Sequence, residues 1–483
     1  MSPTNDELAD ALDRLATLLD AAGADSFAVR AYRRAADRVR ATPADVAGLV
    51  RVGRARELAG VGASIEARLR ELVETGSLAE IAELEERVAP ALIRRARERA
   101  RRPRSGVTLS QARRVVETLA AALGGTAAGD PRRGVEQPER LAVVVGDPSA
   151  LDRLDGVSEV LRVVERGRGR ATVATTDGLP VEIVAAPPGR FGATLVEATG
   201  HPAWVELLGR LADGDDERDV LEASRAGWAP PELREPDAPA VPADLVELAD
   251  VRGDLHVHST WSDGKGTVLE MAAAAREAGY EYLAICDHTR AVRVVPGLDA
   301  EDVRRQAEEI AAANAELAPF RVLRGIECDI LPDGSLDLPD DVLAELDWVQ
   351  ISLHAGQRAS REDLTARVTA AMRHPAARCL SHPKGRILGH RPENALDLDE
   401  VFAVALETGV ALEVNGLPDR LDLSGEHVAE AVAAGVDIVC STDAHSVAGL
   451  GWLELSVATA RRGGAPRGSV VNARPLDEVL RER

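Results

Sequence analysis

The segment DLHVHSTWSDG, residues 254–264, places two histidines around one valine and an aspartate five residues later. His256 and His258 alternate with apolar residues, which predicts a strand that carries both imidazoles on one face. Asp263 would lie in the loop that follows this strand. Paired imidazoles beside a carboxylate are a ligand set that Zn²⁺, Mn²⁺ or Fe²⁺ accepts.

Further imidazoles and carboxylates follow or end other strand-like runs. They are Asp287 and His288 in ICDHT, Glu327 in GIECDI, His354 in SLHA, His382 in LSHP, and Asp443 and His445 in STDAHS. A single such residue is more often solvated or hydrogen-bonded than a metal ligand. A whole set at one rim would repel or protonate unless cations held it, so the sequence predicts a multinuclear metal site. His201, His374 and His427 lie in helical or turn contexts and are not assigned to it.

The elements that would gather these residues begin at residue 250. Seven strand-like runs alternate with helical patterns such as TVLEMAAAAREAG over about 230 residues. This alternation predicts parallel strands joined by crossover helices. Seven units favour a barrel, although the periodicity alone also permits an open sheet. In a barrel the active site would lie at the carboxyl ends of the strands.

Residues 1–104 are helical by pattern. The Gly60-Val61-Gly62 turn, with Ser64 just inside the next helix, predicts a helix-hairpin-helix element whose main-chain N–H groups face a DNA phosphate. Gly60, Gly62 and Ser64 are therefore the predicted DNA-binding residues, and a simple helix–helix turn is the alternative. The arginine cluster RRARERARRPR, residues 94–104, is either a solvated helix end or a second phosphate-contacting patch.

Two further segments complete the predicted order of domains. Residues 105–225 contain short β-like runs, with a hairpin signal in ATVATTDGLPVEIVAA, and predict an α+β domain. Residues 226–249 are rich in proline and acid and predict a linker. The fold class is therefore multidomain α/β, with the barrel occupying residues 250–483.

The composition limits the environment and the partners. The chain has no apolar run of membrane-spanning length and no signal-peptide pattern at its N-terminus, which predicts a cytoplasmic protein without a membrane partner. Its four cysteines include no CxxC pair and are expected to be reduced. The net charge of −22 and an aromatic content of 2% count against nucleic-acid binding over the whole surface.

The motifs HVHSTWSDG, ICDHT, GIECDI, SLHA, LSHPKGR and STDAHS together resemble those of the PHP (polymerase and histidinol phosphatase) metallohydrolase family, across residues 250–483. GRILGHR and PDRLDLS are similar to the PHP domain of bacterial family X DNA polymerases, and the N-terminal helical region resembles the same proteins. The resemblance covers about four-fifths of the chain. It implies a distorted seven-stranded (β/α)7 barrel.

The resemblance also implies three divalent metal ions, as Mn²⁺, Zn²⁺ or Fe²⁺. For the first ion it implies a ligand set that is also the expected catalytic set: His256, His258, Glu327 and Asp443. Glu327 would bridge to a second ion held by His354 and His382, and the third ion would be held by Asp263, His288 and His445. The ions would activate a water and hold phosphate oxygens. Lys384, Arg386 and Arg391 are either phosphate-binding or solvated.

The resemblance fails within residues 105–225. Family X polymerases carry two strand aspartates that hold Mg²⁺ for nucleotidyl transfer. In GDPRRGVEQPERLAVVVG these positions are Arg140 and Ala142, and Glu182 fills a third acidic position. One carboxylate cannot hold two such ions. We therefore expect a degenerate nucleotidyltransferase-like palm without DNA polymerase activity.

These observations lead to three hypotheses about function. The first, which the helix-hairpin-helix and the polymerase-like order of domains favour most, is a metal-dependent phosphoesterase acting on DNA, a 3′–5′ exonuclease or end-processing repair enzyme. The second is a phosphatase of a small phosphomonoester of the histidinol-phosphate type, which the acidic charge slightly favours. The third is a non-enzymatic DNA-binding scaffold, against which ligand sets with open positions argue, because purely structural sites tend to be closed.

Overall fold

The computed structural model describes residues 2–90, 92, 93, 96 and 106–481. The arginines of the 94–104 cluster lie outside the described residues. The helices of the first half are α1 (Asn5–Ala21), α2 (Ser26–Ala41), α3 (Val46–Arg51), α4 (Ala63–Thr75), α5 (Ala79–Arg87), α6 (Leu109–Leu123), α7 (Asp130–Arg133), α8 (Phe191–Thr199), α9 (Pro202–Leu208) and α10 (Glu217–Ala223). The strands there are β1 (Gly125–Gly129), β2 (Leu141–Val145), β3 (Val160–Gly167), β4 (Arg170–Thr175) and β5 (Pro180–Ala185).

The second half alternates strands and helices. Its strands are β6 (Gly253–Val257), β7 (Tyr282–Ile285), β8 (Arg321–Asp329), β9 (Trp348–Ser352), β10 (Cys379–Leu380), β11 (Ala411–Asn415) and β12 (Ile438–Ser441). Its helices are α11 (Val268–Glu277), α12 (Ala300–Leu317), α13 (Asp340–Leu343), α14 (Arg361–Met372), α15 (Leu398–Thr408), α16 (Gly425–Ala434), α17 (Leu453–Arg462) and α18 (Leu476–Val479). No helix in the described ranges is long and apolar enough to span a bilayer.

The chain forms two compact units. Unit 1 comprises the described residues of Met1–Val107 together with Gln111–Arg132 and Pro138–Trp228. Unit 2 comprises Thr108–Ser110, Arg133–Gln137 and the described residues of Ala229–Arg483. The four-part division into residues 1–104, 105–225, 226–249 and 250–483 stays a prediction.

The helical part of unit 1 follows the predicted amphipathic pattern. Thr4 caps α1 in a capping box with Glu7, and the leucine stripe of this helix is buried. Before α4, Gly60 has φ +84°, a left-handed conformation that glycine adopts at little cost. Gly62 is the N-cap residue of α4, and Ser64 lies in its first turn. This is the turn geometry that the sequence predicted.

The sheet of unit 1 has the strand order β1-β2-β5-β4-β3, with β2 and β5 parallel and the other pairs antiparallel. The predicted hairpin is formed by β4 and β5, and Gly178 has φ +81° in its turn. Ala142 and Glu182 are register partners on neighbouring strands. Glu182 pairs with Arg170 at 3.1 Å. The carboxylate that remains at the expected metal-holding edge is therefore engaged by a cation of the chain.

Unit 2 contains seven parallel strands in the order β12-β11-β10-β9-β8-β7-β6. The two ends of this sheet meet, because Val257 bridges to Ala444 and the His258 N–H donates to the Ala444 carbonyl at 2.9 Å. The buried Asp254 accepts from the Thr442 hydroxyl at 2.5 Å across the same junction. The sheet closes into a distorted (β/α)7 barrel, as predicted, and the open-sheet alternative is wrong.

The register of β2 and β5 generates a prediction about unit 1. The wild-type chain is expected to incorporate no nucleotide opposite a template in Mg²⁺, because Ala142 and Arg140 offer no oxygen ligand beside Glu182. Primer extension with all four deoxynucleotides measures this, with a family X polymerase as the positive control. Incorporation that scales with the amount of protein would show that other carboxylates hold the ions.

Candidate metal centre

The nine predicted ligands converge at the carboxyl ends of the barrel strands. Their donor atoms form three overlapping groups whose members all lie within 4.8 Å of one another. The groups are His258, Asp263, His288 and His445; His256, His258 and Asp443; and His288, Glu327 and His354. His382, the ninth predicted residue, places its Nε2 2.9 Å from Glu327 Oε1. The structure therefore brings all nine side chains together, while their assignment to individual ions stays a prediction.

Glu327 on β8 is the central carboxylate. It is 1% exposed, and its two oxygens lie 2.8 Å from His288 Nδ1, 2.9 Å from His382 Nε2 and 3.4 Å from His354 Nε2. His256 and His258 approach within 3.6 and 3.7 Å. A carboxylate with imidazoles on several sides has the position of a bridging metal ligand.

The polar atoms at this centre fit divalent cations. Within the described residues, Glu327 Oε2 and His258 Nδ1 are buried without a hydrogen-bond partner. The Nε2 atoms of His256 and His258 lie 3.2 Å apart. Buried polar atoms are rarely left unsatisfied, and two imidazole nitrogens can face each other only by sharing a proton or a cation. Nitrogen and carboxylate donors in this mixture suit Zn²⁺, Mn²⁺ or Fe²⁺.

The surroundings of each titratable group in the centre determine whether that group is charged. Burial raises the pKa of Glu327, but the surrounding imidazoles outweigh it and hold that pKa well below the ordinary value. Asp443 is likewise held ionised, with its pKa well below normal, by His256 and His258. Burial and the neighbouring imidazoles lower the pKa of His258 to about 3, so this ring is neutral. Ionised carboxylates and a neutral imidazole are the protonation states in which these groups bind metal.

Glu413 on β11 positions His256 and was not predicted. It is fully buried and accepts from His256 Nδ1 at 2.6 Å, from the His382 main-chain N–H at 2.6 Å and from the Ser441 hydroxyl at 2.5 Å. With Nδ1 engaged by this carboxylate, Nε2 is the nitrogen of His256 that faces the cluster and could bind a cation. A lone charged residue inside the apolar strand ALEVN was the available sequence signal.

Two other candidate-ligand imidazoles are also oriented by a hydrogen bond at Nδ1. His354 Nδ1 lies 3.1 Å from Asp329 Oδ1, and His445 Nδ1 lies 2.8 Å from the main-chain carbonyl of Asp443. In both rings Nε2 therefore faces the cluster, 3.4 Å from Glu327 for His354. Asp329 lies two residues after Glu327 on β8, so period-two alternation along a strand could have placed it on the same face.

Asp287 shapes the centre without joining its donor groups. This buried carboxylate accepts from the Ser259 hydroxyl at 2.6 Å, from Ser262 at 2.5 Å and from Gln306 Nε2 at 2.6 Å. It thereby fixes the loop that carries Asp263. Its position at a strand end is the same signal that found the ligands, which shows that this signal alone does not separate ligands from supports.

Two of the candidate ligands have a strained backbone. His382 has φ +27° and Asp443 has φ +54°. Residues other than glycine rarely adopt positive φ, and such conformations persist where the surroundings over-determine them, often at functional sites. Here the main-chain N–H of His382 is held by Glu413, and Asp443 accepts from Asn415 at 3.0 Å.

Arg420 is a cationic neighbour of the centre that the sequence did not single out. Its Nε lies 3.6 Å from Asp443 Oδ2, and its side chain is 16% exposed. Within the described residues this Nε is buried without a hydrogen-bond partner. It lies in the loop PDRLDLS, which has no regular pattern from which its position could be read. The guanidinium therefore lies beside the Asp443 side of the cluster.

The predicted phosphate-binding residues are engaged within unit 2. Arg386 donates to the Arg420 carbonyl at 2.9 Å and to the Leu421 carbonyl, and pairs with Glu136 at 2.8 Å. Lys384 Nζ lies 3.7 Å from Glu393. Arg391 Nε donates to the Gly385 carbonyl at 2.7 Å. Their assignment to phosphate stays a prediction.

The predicted DNA-contacting residues lie in unit 1. A side chain added at Gly62 would meet no atom within 4 Å, so the N-terminus of α4 is accessible there. The Ser64 hydroxyl lies 3.1 Å from the Tyr32 hydroxyl. Their role in DNA binding stays a prediction.

Residues 3–78 match a helix-hairpin-helix domain, and residues 254–415 match the PHP domain. Over 201 residues the chain is 30% identical to a probable phosphatase of Acetivibrio thermocellus, covering 40% of this chain and 78% of that protein. The chain belongs to the PHP family. The PHP domain begins in β6, at the first of the metal-ligand motifs, and the resemblance read from those motifs is confirmed.

Two further relatives are each similar to about half of this PHP protein. It is 42% identical over 254 residues to the DNA polymerase/3′-5′ exonuclease PolX of Bacillus subtilis, which is 52% of this chain and 45% of the relative. It is 28% identical over 247 residues to a probable phosphatase of Photobacterium profundum, 48% of this chain and 94% of the relative. The chain thus spans less than half the length of the Bacillus relative. The match of residues 3–78 to a helix-hairpin-helix domain confirms the element predicted around Gly60 and Gly62. The alternative of a simple helix–helix turn is therefore wrong.

The contacts of Glu413 generate a prediction. Glu413→Gln is expected to lower metal affinity about 10- to 100-fold, because the amide loses the charge that orients His256. Metal content after dialysis against graded chelator measures this. Glu407→Gln, which alters a surface carboxylate paired with Arg373 at 3.2 Å, is the matched control and should retain wild-type metal. Full metal retention by Glu413→Gln would contradict the orienting role.

Proposed function

We propose that this chain is a metal-dependent phosphoesterase that shortens DNA from the 3′ end. The observation that carries the proposal is the cluster of nine imidazole and carboxylate side chains, Glu327 among them, at one end of the barrel. When bound, divalent ions would supply activation of a water and neutralisation of the charge on the phosphate oxygens. The cytoplasm is the proposed compartment.

The residues of the chain have distinct tasks in this proposal. His256, His258, Glu327 and Asp443 hold the ions at the floor of the site, and Glu413 keeps His256 in the tautomer that binds metal. Asp263, His288 and His445 form the more exposed side of the cluster, and His354 and His382 complete it. Arg420, beside Asp443, would donate to a phosphate oxygen and counter its developing charge.

DNA is favoured as the substrate by the rest of the chain. Residues 3–78 match a helix-hairpin-helix domain, and such a domain presents helix N-terminal N–H groups to a phosphate backbone. The Bacillus relative is named a 3′-5′ exonuclease. A DNA-binding element in unit 1 is unnecessary for hydrolysis of a small monoester.

The alternative is a phosphatase of a small phosphomonoester. It is supported by two relatives named probable phosphatases, which are matched over 78% and 94% of their own lengths. Those matches span 40% and 48% of this chain, so they leave at least half of it without a role in the alternative.

A mutation at the cluster tests the proposal. His258→Ala is expected to slow shortening of a 5′-labelled primer–template in Mn²⁺ more than about 100-fold, because loss of a ligand costs more than loss of an outer partner. DNA binding, measured by fluorescence anisotropy, should be unchanged. The matched control is His390→Ala, which removes an exposed imidazole outside the cluster and should leave the rate unchanged.

The substrate panel separates the alternatives. A ladder of shortened DNA products supports the exonuclease. Phosphate release from a histidinol-phosphate-type monoester, with the DNA left intact, would establish the phosphatase instead. Metal-loaded protein that hydrolyses neither substrate would leave only the DNA-binding scaffold.

A further inference from the structure

Two loops leave the barrel directly after metal-ligand residues. The first, residues 289–297, follows His288, and its ends are joined where the Leu298 N–H donates to the His288 carbonyl at 2.8 Å. The second, residues 355–360, follows His354. Because both loops start at the carboxyl ends of parallel strands, they lie on the rim of the metal centre.

The first loop is held in shape with its tip in solvent. Arg290 pairs with Asp299 at 2.8 Å, and the Ala291 N–H donates to Asp337 at 2.7 Å. At the tip, Arg293 has φ +61° and is exposed, and Val294 is 85% exposed. A strained arginine beside a solvated valine is unfavourable for the free protein, and such features are concentrated where a ligand is contacted.

Each loop carries an exposed arginine that the fold does not use. Arg293 and Arg358 have no ion-pair or hydrogen-bond partner of their side chains among the residues that the structure describes. By contrast, Arg290 in the first loop and Arg361 directly after the second are paired with aspartates. The net charge of the chain is −22. On so acidic a protein, two unpaired guanidinium groups beside a phosphate-processing centre favour an anionic polymer at this rim.

We propose that Arg293 and Arg358 hold the two phosphates immediately 5′ of the scissile phosphodiester at a single-stranded DNA 3′ end, with Val294 against the sugar or base between them. This rests on the proposed function and extends it from the reacting phosphate to its neighbours. A monoester has no neighbouring phosphates, so these contacts serve only a polynucleotide. They determine substrate class, whereas the metal ligands determine the reaction.

Arg293→Gly combined with Arg358→Ala tests the proposal. Glycine suits the positive φ at residue 293, so that substitution removes the guanidinium without straining the loop. The variant is expected to raise KM for a labelled oligonucleotide about tenfold at low salt with little change in kcat. The slope of the logarithm of the binding constant against the logarithm of the salt concentration should become smaller in magnitude by about 0.7 for each arginine removed. This is the value for one phosphate contact on a single strand.

The controls isolate the rim from the centre. Hydrolysis of thymidine 5′-p-nitrophenyl phosphate, a small diester, and metal content should match the wild type. Arg321→Ala removes an exposed arginine at the start of β8, at the opposite end of the barrel from the ligands, and should leave KM for the oligonucleotide unchanged. Val294→Ser alone should raise KM by a smaller factor.

The outcomes are distinguishable. Wild-type protein that digests DNA, together with a double variant of unchanged KM and salt dependence, overturns the rim contacts and leaves the proposed function standing. An equal KM increase in Arg321→Ala would show a general charge effect and also overturn them. Wild-type protein that leaves DNA intact overturns the proposed function and the rim contacts together.

Discussion

The carboxylate of Glu327 lies within 4 Å of five imidazoles in the interior of the barrel. Burying an ionised carboxylate is costly unless opposite charges or strong hydrogen bonds compensate. Among the described residues, one hydroxyl donates to it, that of Ser352 at 2.6 Å. The remaining compensation must come from cationic charge, whether protons on the rings or metal ions between them. The structure around β8 is arranged to supply it.

That arrangement depends on how the barrel closes. Two of the five imidazoles that approach Glu327 belong to β6 and the residue after it, and the other three follow β7, β9 and β10. Four strands must therefore bring their ends to the same height. The β6–β12 junction fixes this register through the Asp254–Thr442 hydrogen bonds. Asn472 adds hydrogen bonds to the carbonyls of Gly253 and Cys440. A shift of one residue at this junction would turn His256 and His258 away from the cluster.

The sequence predicted the parts of this protein that follow regular patterns. Alternation along the strand located His256 and His258, and strand ends located the other candidate ligands, because parallel strands bring their carboxyl ends together. The same reasoning could not separate Asp287, which supports a loop, from Asp263, which joins a donor group. Partners distant in sequence and irregular in context were missed. Arg420 is the clearest case, since its position depends on how one loop folds over Asp443.

The sheet of unit 1 is stabilised by apolar packing that does not depend on the acidic positions expected from the sequence. Its strands β2 and β5 bury Val143, Val181 and Ile183 completely, and that apolar packing does not require catalytic acids. Two arginines near the β1–β2 end of this sheet, Arg132 and Arg140, are bonded within unit 1. Arg132 forms a two-pronged pair with Glu217, and Arg140 donates to the Gly200 carbonyl at 3.1 Å. Charge-assisted hydrogen bonds are about twice as strong as neutral ones, so the pair of Arg132 with Glu217 helps to hold this part of unit 1 together without any bound ligand.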